Sequence, residues 1–569
     1  MALPRLAVAA VGISVAWLVL AVGAVRGERR LVVDPVWALL AALTLWAVIS
    51  ALASDQGPSV WLGQSERLEG VATVALYAAA YGAGLQVGCS DSWLRRLGAA
   101  LIAGAAVLAA HGILQMAWLD PSDRSFISYA FDTRYARASL GNPNFLGSAL
   151  VLALPVALAA AISATGREVR IAAASAAALV AIALVGTRSQ AAWLCGTGAL
   201  VAGAWLSVKR PGGRTRRALA FAAGVGLAAA LVLGGVSIFA KGYGLDALSR
   251  SSGRAELLSI ATATATGHPL TGVGPDAFLA AFRENRSEDY ARVHGADSTN
   301  NNAHSWVMQY AATLGVPGAL LLAAALGIGL WRGRPPSDSS RATLIRAGMW
   351  VGLLGLAVNL QMSVAVLAVT VPFWLLLGAL ASARAGAVEL PSAGAVSIAV
   401  VCTVLALAAA GGSARLISAD ATYLRSRLAY NGMGEGDAVA LADEAARLNP
   451  TAVKYARGAA EARMALALAE IGRPGATTRS AQPLFEDASM ALEQVTARWP
   501  DDYPAHAWLA GLQAAMGKRF GDERMLEQAR ATIEQAARLD PVHAELRLLA
   551  RGDTSQAAID AALATPGLP

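Results

Sequence analysis

The stretch from Arg250 to Gly318 decides how the chain is organised: RSSGRAELLSIATATATGHPLTGVGPDAFLAAFRENRSEDYARVHGADSTNNNAHSWVMQYAATLGVPG. It is polar over most of its length, and it lies between two apolar segments that are each long enough to cross a bilayer. Its chemistry is therefore confined to one membrane face. His304 and Ser305 open the apolar helix at its end, so an ionisable ring is expected where the polar segment meets the lipid.

The composition indicates a polytopic membrane protein. Of 569 residues, 56% are hydrophobic and only 15% are charged, and the mean hydropathy is +0.49, well outside the range of soluble globular proteins. The first apolar span meets Arg26, Arg29 and Arg30 without a small-residue cleavage site, so we expect a retained helix. About twelve spans of the length needed to cross a membrane are expected near residues 6–25, 35–53, 69–87, 97–118, 145–163, 169–186, 190–207, 218–240, 304–330, 343–363, 365–383 and 393–412.

The net charge of +7 does not indicate a nucleic-acid partner, because the basic residues cluster in short loops such as 209–217 and 331–346. Such clusters mark the cytoplasmic side of a membrane protein. Since each span changes the side, the loops near 54–68, 119–144, 187–190 and 241–303 are expected to face outward, and the same count places both termini outside.

No metal or nucleotide cofactor is expected. The three cysteines, Cys89, Cys195 and Cys402, lack metal-ligand spacing. The Gly272-Val-Gly274 turn lacks the βαβ context of a nucleotide-binding loop. The acidic residues of the 241–303 loop form no compact pair for a metal-bound sugar nucleotide, and they are expected to be solvated. They include Asp276, Glu284, Glu288, Asp289 and Asp297.

Several polar residues on the outward side are candidates for binding. Arg188 joins two spans with almost no loop, where a guanidinium is costly unless it has an anionic partner. Asn142 and Asn144 form a turn directly before a span. Arg67 lies in a loop with Trp61, a pairing that also fits an interfacial anchor. The candidates for substrate binding are Asn142, Asn144, Arg67 and Arg283.

A second domain, residues 414–569, is expected after a membrane domain of residues 1–413. Three related junctions recur, at 445–450 (AARLNP), 496–500 (TARWP) and 536–541 (AARLDP), each before a new Ala-rich helix. This repetition resembles tetratricopeptide repeats, although the prolines are more widely spaced than in that class. An irregular helical bundle is the alternative. The helical pattern covers Asp437–Leu448, Thr451–Glu470, Leu484–Arg498, Tyr503–Met516, Glu523–Leu539 and Val542–Ala550.

Four landmarks stand in order on the outward side: RASLGNPNFLGS, GTRSQAAWL, SGRAELL…HPLTGVGPDAF and AHSWVMQYAATLGVPG. Together, over roughly residues 30 to 385, they resemble the superfamily of O-antigen ligases and O-antigen polymerases. The resemblance implies an all-α membrane fold of the GT-C type. It also implies a polyprenyl-diphosphate-linked glycan as donor and an inverting, metal-independent transfer on the outer face of the cytoplasmic membrane.

Within this resemblance, Arg188 and Arg254 are the candidates for binding the donor diphosphate, since guanidinium groups bind phosphate oxygens bidentately. Arginines that reach the lipid headgroups are the alternative for both. His304 lies in the matching His-Ser motif and is the candidate catalytic residue, either as a base toward the acceptor hydroxyl or as an orienting group. A plain helix-cap histidine is the alternative.

The favoured function is a glycan ligase with a lipid, polymer or protein acceptor, and a polysaccharide polymerase is the first alternative. A transporter or flippase would show repeated halves with helices broken near the midplane, and no such repeat is found. A membrane-anchored scaffold would explain only the tail. The tetratricopeptide-like tail is expected to recruit an acceptor or a partner protein.

Overall fold

The structure is a computed structural model that describes residues 2–64, 67–117, 135–208, 252–294, 299–336, 341–432, 437–542 and 555–563. Within these ranges the chain is helical apart from two short strands, so the predicted all-α fold is confirmed. The predicted span at 218–240 lies outside the described residues, as do parts of the predicted loops at 119–144 and 241–303.

The membrane region is made of long apolar helices. Eight described helices are long and apolar enough to cross a membrane, and Val71–Val87 and Thr343–Asn359 are shorter apolar helices. Each predicted span other than 218–240 coincides with a helix. These helices are α1 (Ala2–Val25), α2 (Pro35–Leu52), the short α3 (Ser59–Leu62), α4 (Val71–Val87), α5 (Asp91–Ala117), α6 (Pro143–Ser163), α7 (Arg167–Gly186) and α8 (Gln190–Val208). After the polar segment follow α12 (Trp306–Gly333), α13 (Arg341–Asn359), α14 (Leu367–Ala381) and α15 (Ser392–Tyr430).

Two apolar cores hold these helices together. The larger one joins α2, α4, α12 and α14, and the second joins α5 to α8. Trp306, the first residue of α12, lies in the larger core at 1% exposure. Its ring centroid is 6.0 Å from that of Tyr77 and 5.9 Å from that of Trp374. These aromatic contacts fix the start of α12, and with it the position of the preceding His304.

One face of the membrane region collects basic residues, and we call it the basic face. There the strand β1 (Arg30–Val33) pairs antiparallel with β2 (Gly386–Glu389), and a 3₁₀ turn (Ser382–Arg384) precedes β2. Asp34 accepts the N–H of Val36 at 2.8 Å at the start of α2 and forms a buried ion pair with Arg332. This pair fixes the end of α12 to the start of α2.

The opposite face carries His304, and we call it the site face. The predicted polar loop contains three helices in its described part: α9 (Ser252–Gly267), α10 (Phe278–Asn285) and α11 (Glu288–His294). Leu257, Ile260, Phe278 and Phe282 form a small apolar core with Ala312 of α12. The segment therefore folds as a helical layer against α12, because its apolar residues lie on shared helix faces.

The Gly272-Val-Gly274 turn stabilises a kink in α12. Gly315 has φ 72° inside the helix, a left-handed conformation that interrupts the ladder of backbone hydrogen bonds. The carbonyls of Ala312 and Thr313, one turn earlier, accept the N–H groups of Val273 at 3.1 Å and Gly274 at 3.0 Å. The Gly272-Val-Gly274 turn and the kink at Gly315 thus form one structural unit that fixes α12 to the segment before α10.

Helix α15 connects the membrane region to the C-terminal region without a break. It has 39 residues, which at 1.5 Å per residue span about 58 Å, nearly twice the hydrocarbon thickness. Its first part packs against α1 and its last part against the next helix, Ala438–Leu448. The predicted boundary at 413/414 therefore lies within a continuous helix.

The C-terminal helices pack in sequence order, each against the next, except the last described helix, which packs against Tyr503–Phe520. The three recurring junctions have a common structure, since Asn449, Trp499 and Asp540 each follow a helix end with φ between −129° and −141° and ψ between 81° and 84°. The sequence repeat therefore corresponds to a repeated helix end, while the tetratricopeptide class stays a prediction. The helices are α16 (Ala438–Leu448), α17 (Val453–Gly472), α18 (Thr478–Arg498), α19 (Tyr503–Phe520), α20 (Glu523–Leu539) and α21 (Gln556–Leu563); most of the predicted helix 542–550 lies outside the described residues.

The C-terminal region docks on the site face. Arg286, which follows α10, donates hydrogen bonds to both carboxylate oxygens of Asp540 at 2.8 Å, and these side chains are 1% and 3% exposed. The guanidinium of Arg283 lies 5.2 Å from the ring centroid of Tyr503. The sequence did not predict on which side of the membrane the C-terminal region lies. These buried contacts place it beside the polar segment.

The N-terminal helix also starts at the site face. Arg5 donates a hydrogen bond to the carbonyl of Ser139 at 2.7 Å, and Ser139 lies in a 3₁₀ turn (Ala138–Leu140) just before α6. The described parts of both ends of the chain therefore lie on the same face, in agreement with the alternation of spans.

Candidate functional site

His304 stands immediately before α12, where the polar segment enters the membrane region. Ser305 caps the helix by accepting the N–H of Met308 at 3.4 Å. His304 itself has φ 53°, a left-handed conformation that is uncommon for a residue with a side chain. Among the described residues, its Nδ1 atom is buried without a hydrogen-bond partner. A buried polar atom without a hydrogen-bond partner is uncommon in folded proteins.

The imidazole of His304 is held in its neutral form. Burial, with smaller contributions from the positive charges of Arg254 and Arg67, lowers the pKa of His304 to about 4. The structure thus brings Arg254, an exposed residue of α9, into electrostatic range of His304. A neutral imidazole beside a cation can accept a hydrogen bond or a proton from a substrate hydroxyl while the cation binds an anionic group.

Beneath His304 lies a buried ion pair. Nη1 of Arg67 is 3.1 Å from Oδ1 of Asp276, and the two side chains are 4% and 0% exposed. Burial raises the pKa of the Asp276 carboxyl, and the neighbouring Arg67 charge opposes that shift. The expectation that Asp276 is solvated is wrong, because its carboxylate accepts the main-chain N–H groups of Gln64 and Glu69 and faces Arg67.

A second buried carboxyl, Glu69, adjoins this pair. The hydroxyl of Tyr77 lies 2.8 Å from each of its carboxylate oxygens. Burial raises the pKa of Glu69 to about 8, although the charge of Arg67 opposes the shift. The carboxyl is therefore mostly protonated at pH 7. Among the described residues, no group of three or more His, Cys, Asp or Glu side chains is arranged to hold a metal ion.

Arg188 forms a second cluster on the site face. It is exposed, has φ 51° and places its guanidinium 5.3 Å from the ring centroid of Tyr135. The neighbouring Ser189 donates to Oδ1 of Asn144 at 2.7 Å. Asn142 caps α6 by accepting the N–H of Asn144 at 2.8 Å. The two asparagines thus shape the turn beside Arg188, and the side-chain oxygen of Asn142 serves the helix cap.

The end of α13 links the Arg188 cluster to the His304 cluster. On one side, Ser148 of α6 donates to Oδ1 of Asn359 at 2.6 Å. On the other side, the carbonyl of Leu360 accepts the N–H of Trp306 at 2.9 Å, and Gln361 accepts from Ser305 at 3.2 Å. The two clusters, which are more than 100 residues apart in sequence, therefore border the same short segment on the site face.

Two candidates for substrate binding are buried. Arg67 is buried, with its guanidinium directed to Asp276 and to the polar segment. Arg283 is buried against the C-terminal region, and this burial lowers its pKa. The prediction of direct substrate contact is therefore corrected for both residues, because neighbouring parts of the chain cover them.

Sequence reasoning missed the roles of Asp276 and Glu69. Both are carboxylates in polar segments, where solvation is the usual state. The signal that could have indicated a buried pair is Arg67 itself, an arginine in a short loop beside a membrane span, which calls for an anionic partner.

Residues 175–323 match the model of a protein family described as O-antigen ligase. The match includes Arg188, Arg254 and His304, whereas Arg67, Asn142 and the C-terminal helices lie outside it. No curated protein and no solved structure matches the chain.

Proposed function

We propose, from the match of residues 175–323 to the O-antigen ligase family model, that this membrane protein transfers a preassembled glycan from a polyprenyl-diphosphate carrier to an acceptor. The observation that carries the proposal is that Arg254 and His304 lie on one membrane face, close enough for the charge of Arg254 to act on the imidazole. Arg188 borders the same face through the end of α13. Ligase is the favoured form, and polymerase is the form in which the acceptor is itself carrier-linked.

Each group has a defined task in this transfer. An acceptor hydroxyl attacks the anomeric carbon of the carrier-linked sugar, and the bond from that carbon to the diphosphate oxygen breaks. His304 receives the hydroxyl proton or orients the hydroxyl. Arg188 and Arg254 bind the diphosphate, whose charge grows as it leaves, and lower the energy of the transition state. The family resemblance supports an inverting outcome without a metal ion.

The orientation of the protein in the membrane is part of the proposal. The basic face carries Arg26, Arg29, Arg30, Arg332 and Arg334, so the positive-inside rule assigns it to the cytoplasm. The site face then lies on the outer side of the cytoplasmic membrane, where the donor glycan is presented. In a chain without native cysteines, we expect an impermeant thiol reagent added to intact cells to label Ser259→Cys on the site face but not Thr165→Cys on the basic face. Labelling of Thr165→Cys but not of Ser259→Cys would contradict the proposed mechanism.

Transfer in liposomes tests the chemistry. We expect glycosylated acceptor from a purified polyprenyl-diphosphate glycan, and at least about 10²-fold less product with His304→Asn, Arg188→Lys or Arg254→Gln. Two matched controls, the exposed His268→Asn and the basic-face Arg170→Gln, should retain transfer. The acceptor that becomes glycosylated separates ligase from polymerase. If folded protein moved the lipid across the bilayer without forming a glycosidic bond, a transporter would replace the proposal.

The recruitment of an acceptor or partner protein by the C-terminal region remains a proposal. A groove of about 510 Å³ lies between α16, α17 and α18, and it is the surface to alter in testing this role. It contains Arg447, Arg498 and Met490, whose side chain is 58% exposed. If Met490→Glu left both the acceptor use and the set of co-purifying proteins unchanged, we would no longer propose that the groove recruits an acceptor or a partner.

A further inference from the structure

Asp276 lies where three segments of the site face meet. Its Oδ2 accepts the main-chain N–H groups of Gln64 at 2.8 Å and Glu69 at 3.2 Å. Its Oδ1 faces Arg67, whose Nη1 also donates to the carbonyl of Asn301 at 2.7 Å. A single carboxylate and a single guanidinium therefore join the loop 63–70, the turn before α10 and the residues that lead to His304.

The backbone at Gly63 and Glu69 leaves room for this carboxylate. Gly63 has φ 93°, and a Cβ atom at this position would stand 2.7 Å from Oδ2 of Asp276 and 2.5 Å from the main-chain nitrogen of Glu69. A residue with a side chain would therefore displace the carboxylate. Glycine is required here both for the backbone conformation and for the close approach of Asp276.

Strained backbone is concentrated around the same pair. Five described residues other than glycine have positive φ, and three of them belong to the joined segments: Leu68 at 58°, Asp276 at 59° and His304 at 53°. Such conformations are unfavourable for residues with a side chain and persist where the surrounding structure over-determines them. Here the buried pair and its hydrogen bonds supply that constraint, so the strain follows from the contacts that hold His304 in place.

The pair itself is out of reach of a substrate. With side-chain exposures of 4% for Arg67 and 0% for Asp276, neither group can contact a glycan or a diphosphate at the surface. Any influence of the pair on transfer must pass through the backbone of residues 301–304 or through the electric field of Arg67 at His304.

We propose that Arg67 and Asp276 are positioning residues that hold His304 in the conformation required for glycosyl transfer; this inference rests on the proposed function. The pair orients the segment through Asn301, and Asn302 completes the arrangement by accepting the N–H of His304. The imidazole is thereby presented in one orientation before the substrate binds, which reduces the ordering required in the transition state.

Steady-state kinetics in liposomes test the proposal. We expect Asp276→Asn and Arg67→Gln to lower kcat by roughly 10²-fold, the effect of a displacement of about 1 Å. The KM for the lipid-linked donor should change by less than about threefold, because the proposed diphosphate ligands Arg188 and Arg254 are untouched. Arg67→Lys keeps the positive charge but cannot reproduce both contacts of the guanidinium, with Asp276 and with the carbonyl of Asn301. Its kcat should lie between those of Arg67→Gln and the unmodified protein.

The pH dependence of His304 provides a readout that a purely structural role would not change. Carbethoxylation of His304 in the full-length protein, followed by mass spectrometry from pH 4 to 8, reports the pKa of the imidazole. Among the described residues, Arg254 of α9 and Arg67 are the charged groups that act on this ring. Arg67→Gln should shift the modification profile to higher pH, whereas Arg67→Lys should restore it.

The outcomes separate this inference from the proposed function. If His304→Asn abolished transfer while folded Asp276→Asn and Arg67→Gln kept the unmodified kcat and pH profile, the positioning role would be overturned and the function would stand. If His304→Asn retained transfer, the proposed function would fail instead. Should the charge-removing variants not fold, Arg67→Lys decides the matter, since a kcat equal to that of the unmodified protein would overturn the positioning role.

Discussion

Oδ1 of Asn302 accepts the main-chain N–H of His304 at 2.6 Å, and His304 adopts a left-handed conformation with φ 53°. Asparagine tolerates this conformation better than alanine does. The exchange that removes the imidazole with the least damage to the fold is therefore His304→Asn.

We expect His304→Asn and His304→Ala to lose transfer equally. The alanine variant should also lose about 1–2 kcal/mol of unfolding free energy relative to the asparagine variant. Unfolding in detergent, followed by circular dichroism, measures this difference. His268, which is exposed and has no left-handed backbone, is the matched control. Equal stability of the two His304 variants would show that the backbone conformation relaxes.

The lowered pKa of His304 predicts the acidic limit of activity. With a pKa of about 4, the imidazole stays neutral as the pH falls from 7 to 5, so transfer should persist where an ordinary histidine would be protonated. Arg254→Gln removes one of the charges that lower the pKa, and the residual activity should decline at a higher pH than in the unmodified protein. An acidic limit near pH 6.5 in the unmodified protein would contradict this expectation.

The same shift has a consequence for stability. Because the folded pKa of about 4 lies below the ordinary value of 6.5, the unfolded chain binds more protons between these values. The contribution of His304 to stability is therefore fully present above pH 6.5 and is lost as the pH falls toward 4. His304→Asn should show a flatter decline of the unfolding free energy in this range.

The raised pKa of Glu69 predicts the opposite pH dependence of stability. Its folded pKa of about 8 lies above the ordinary value of 4.5, so the folded protein binds more protons between these values and loses stability as the pH rises through that window. Glu69→Gln keeps the shape of the protonated carboxyl and removes its titration. We expect the unfolding free energy of the variant to fall less than that of the unmodified protein between pH 5 and 8. Parallel curves would show that Glu69 is ionised throughout.

Gly63→Ala tests the fit of the Asp276 carboxylate to the loop. The added methyl group would crowd Oδ2 of Asp276 at a backbone conformation with φ 93°, so we expect a loss of about 2–3 kcal/mol of unfolding free energy. Gly12→Ala is the control, because a Cβ at this helical position meets nothing within 4 Å. A Gly63→Ala protein as stable as the Gly12→Ala protein would show that the loop can move away.

The ion pair of Arg286 and Asp540 is expected to hold the C-terminal region on the site face. Removing one partner of a buried pair leaves the other charge uncompensated and costs about 3–5 kcal/mol. Asp540→Asn should therefore increase hydrogen exchange in α10 and α20, whereas the exposed pair Glu470 and Arg473 can be neutralised without effect. Unchanged exchange at α10 would show that other contacts suffice for docking.

Local sequence patterns were sufficient to predict the membrane helices of the described residues and the repeated helix ends. Continuous apolar runs predict membrane helices because the length of a span is set by the bilayer. The junctions at Asn449, Trp499 and Asp540 could be recognised in the sequence because the chain ends a helix in the same backbone conformation at each of them. Arg188, Arg254 and His304 were predicted from short motifs.

The tertiary structure alone decided what lies beneath the site and beside it. Asp276 and Arg67 are separated by more than 200 residues, and no local pattern tells whether a carboxylate in a polar segment is solvated or paired. The docking of the C-terminal region likewise depends on Arg286 meeting Asp540. Burial and ion pairing are properties of contacts between distant segments. The sequence by itself therefore determined which helices form, and packing determined which charges are buried and paired.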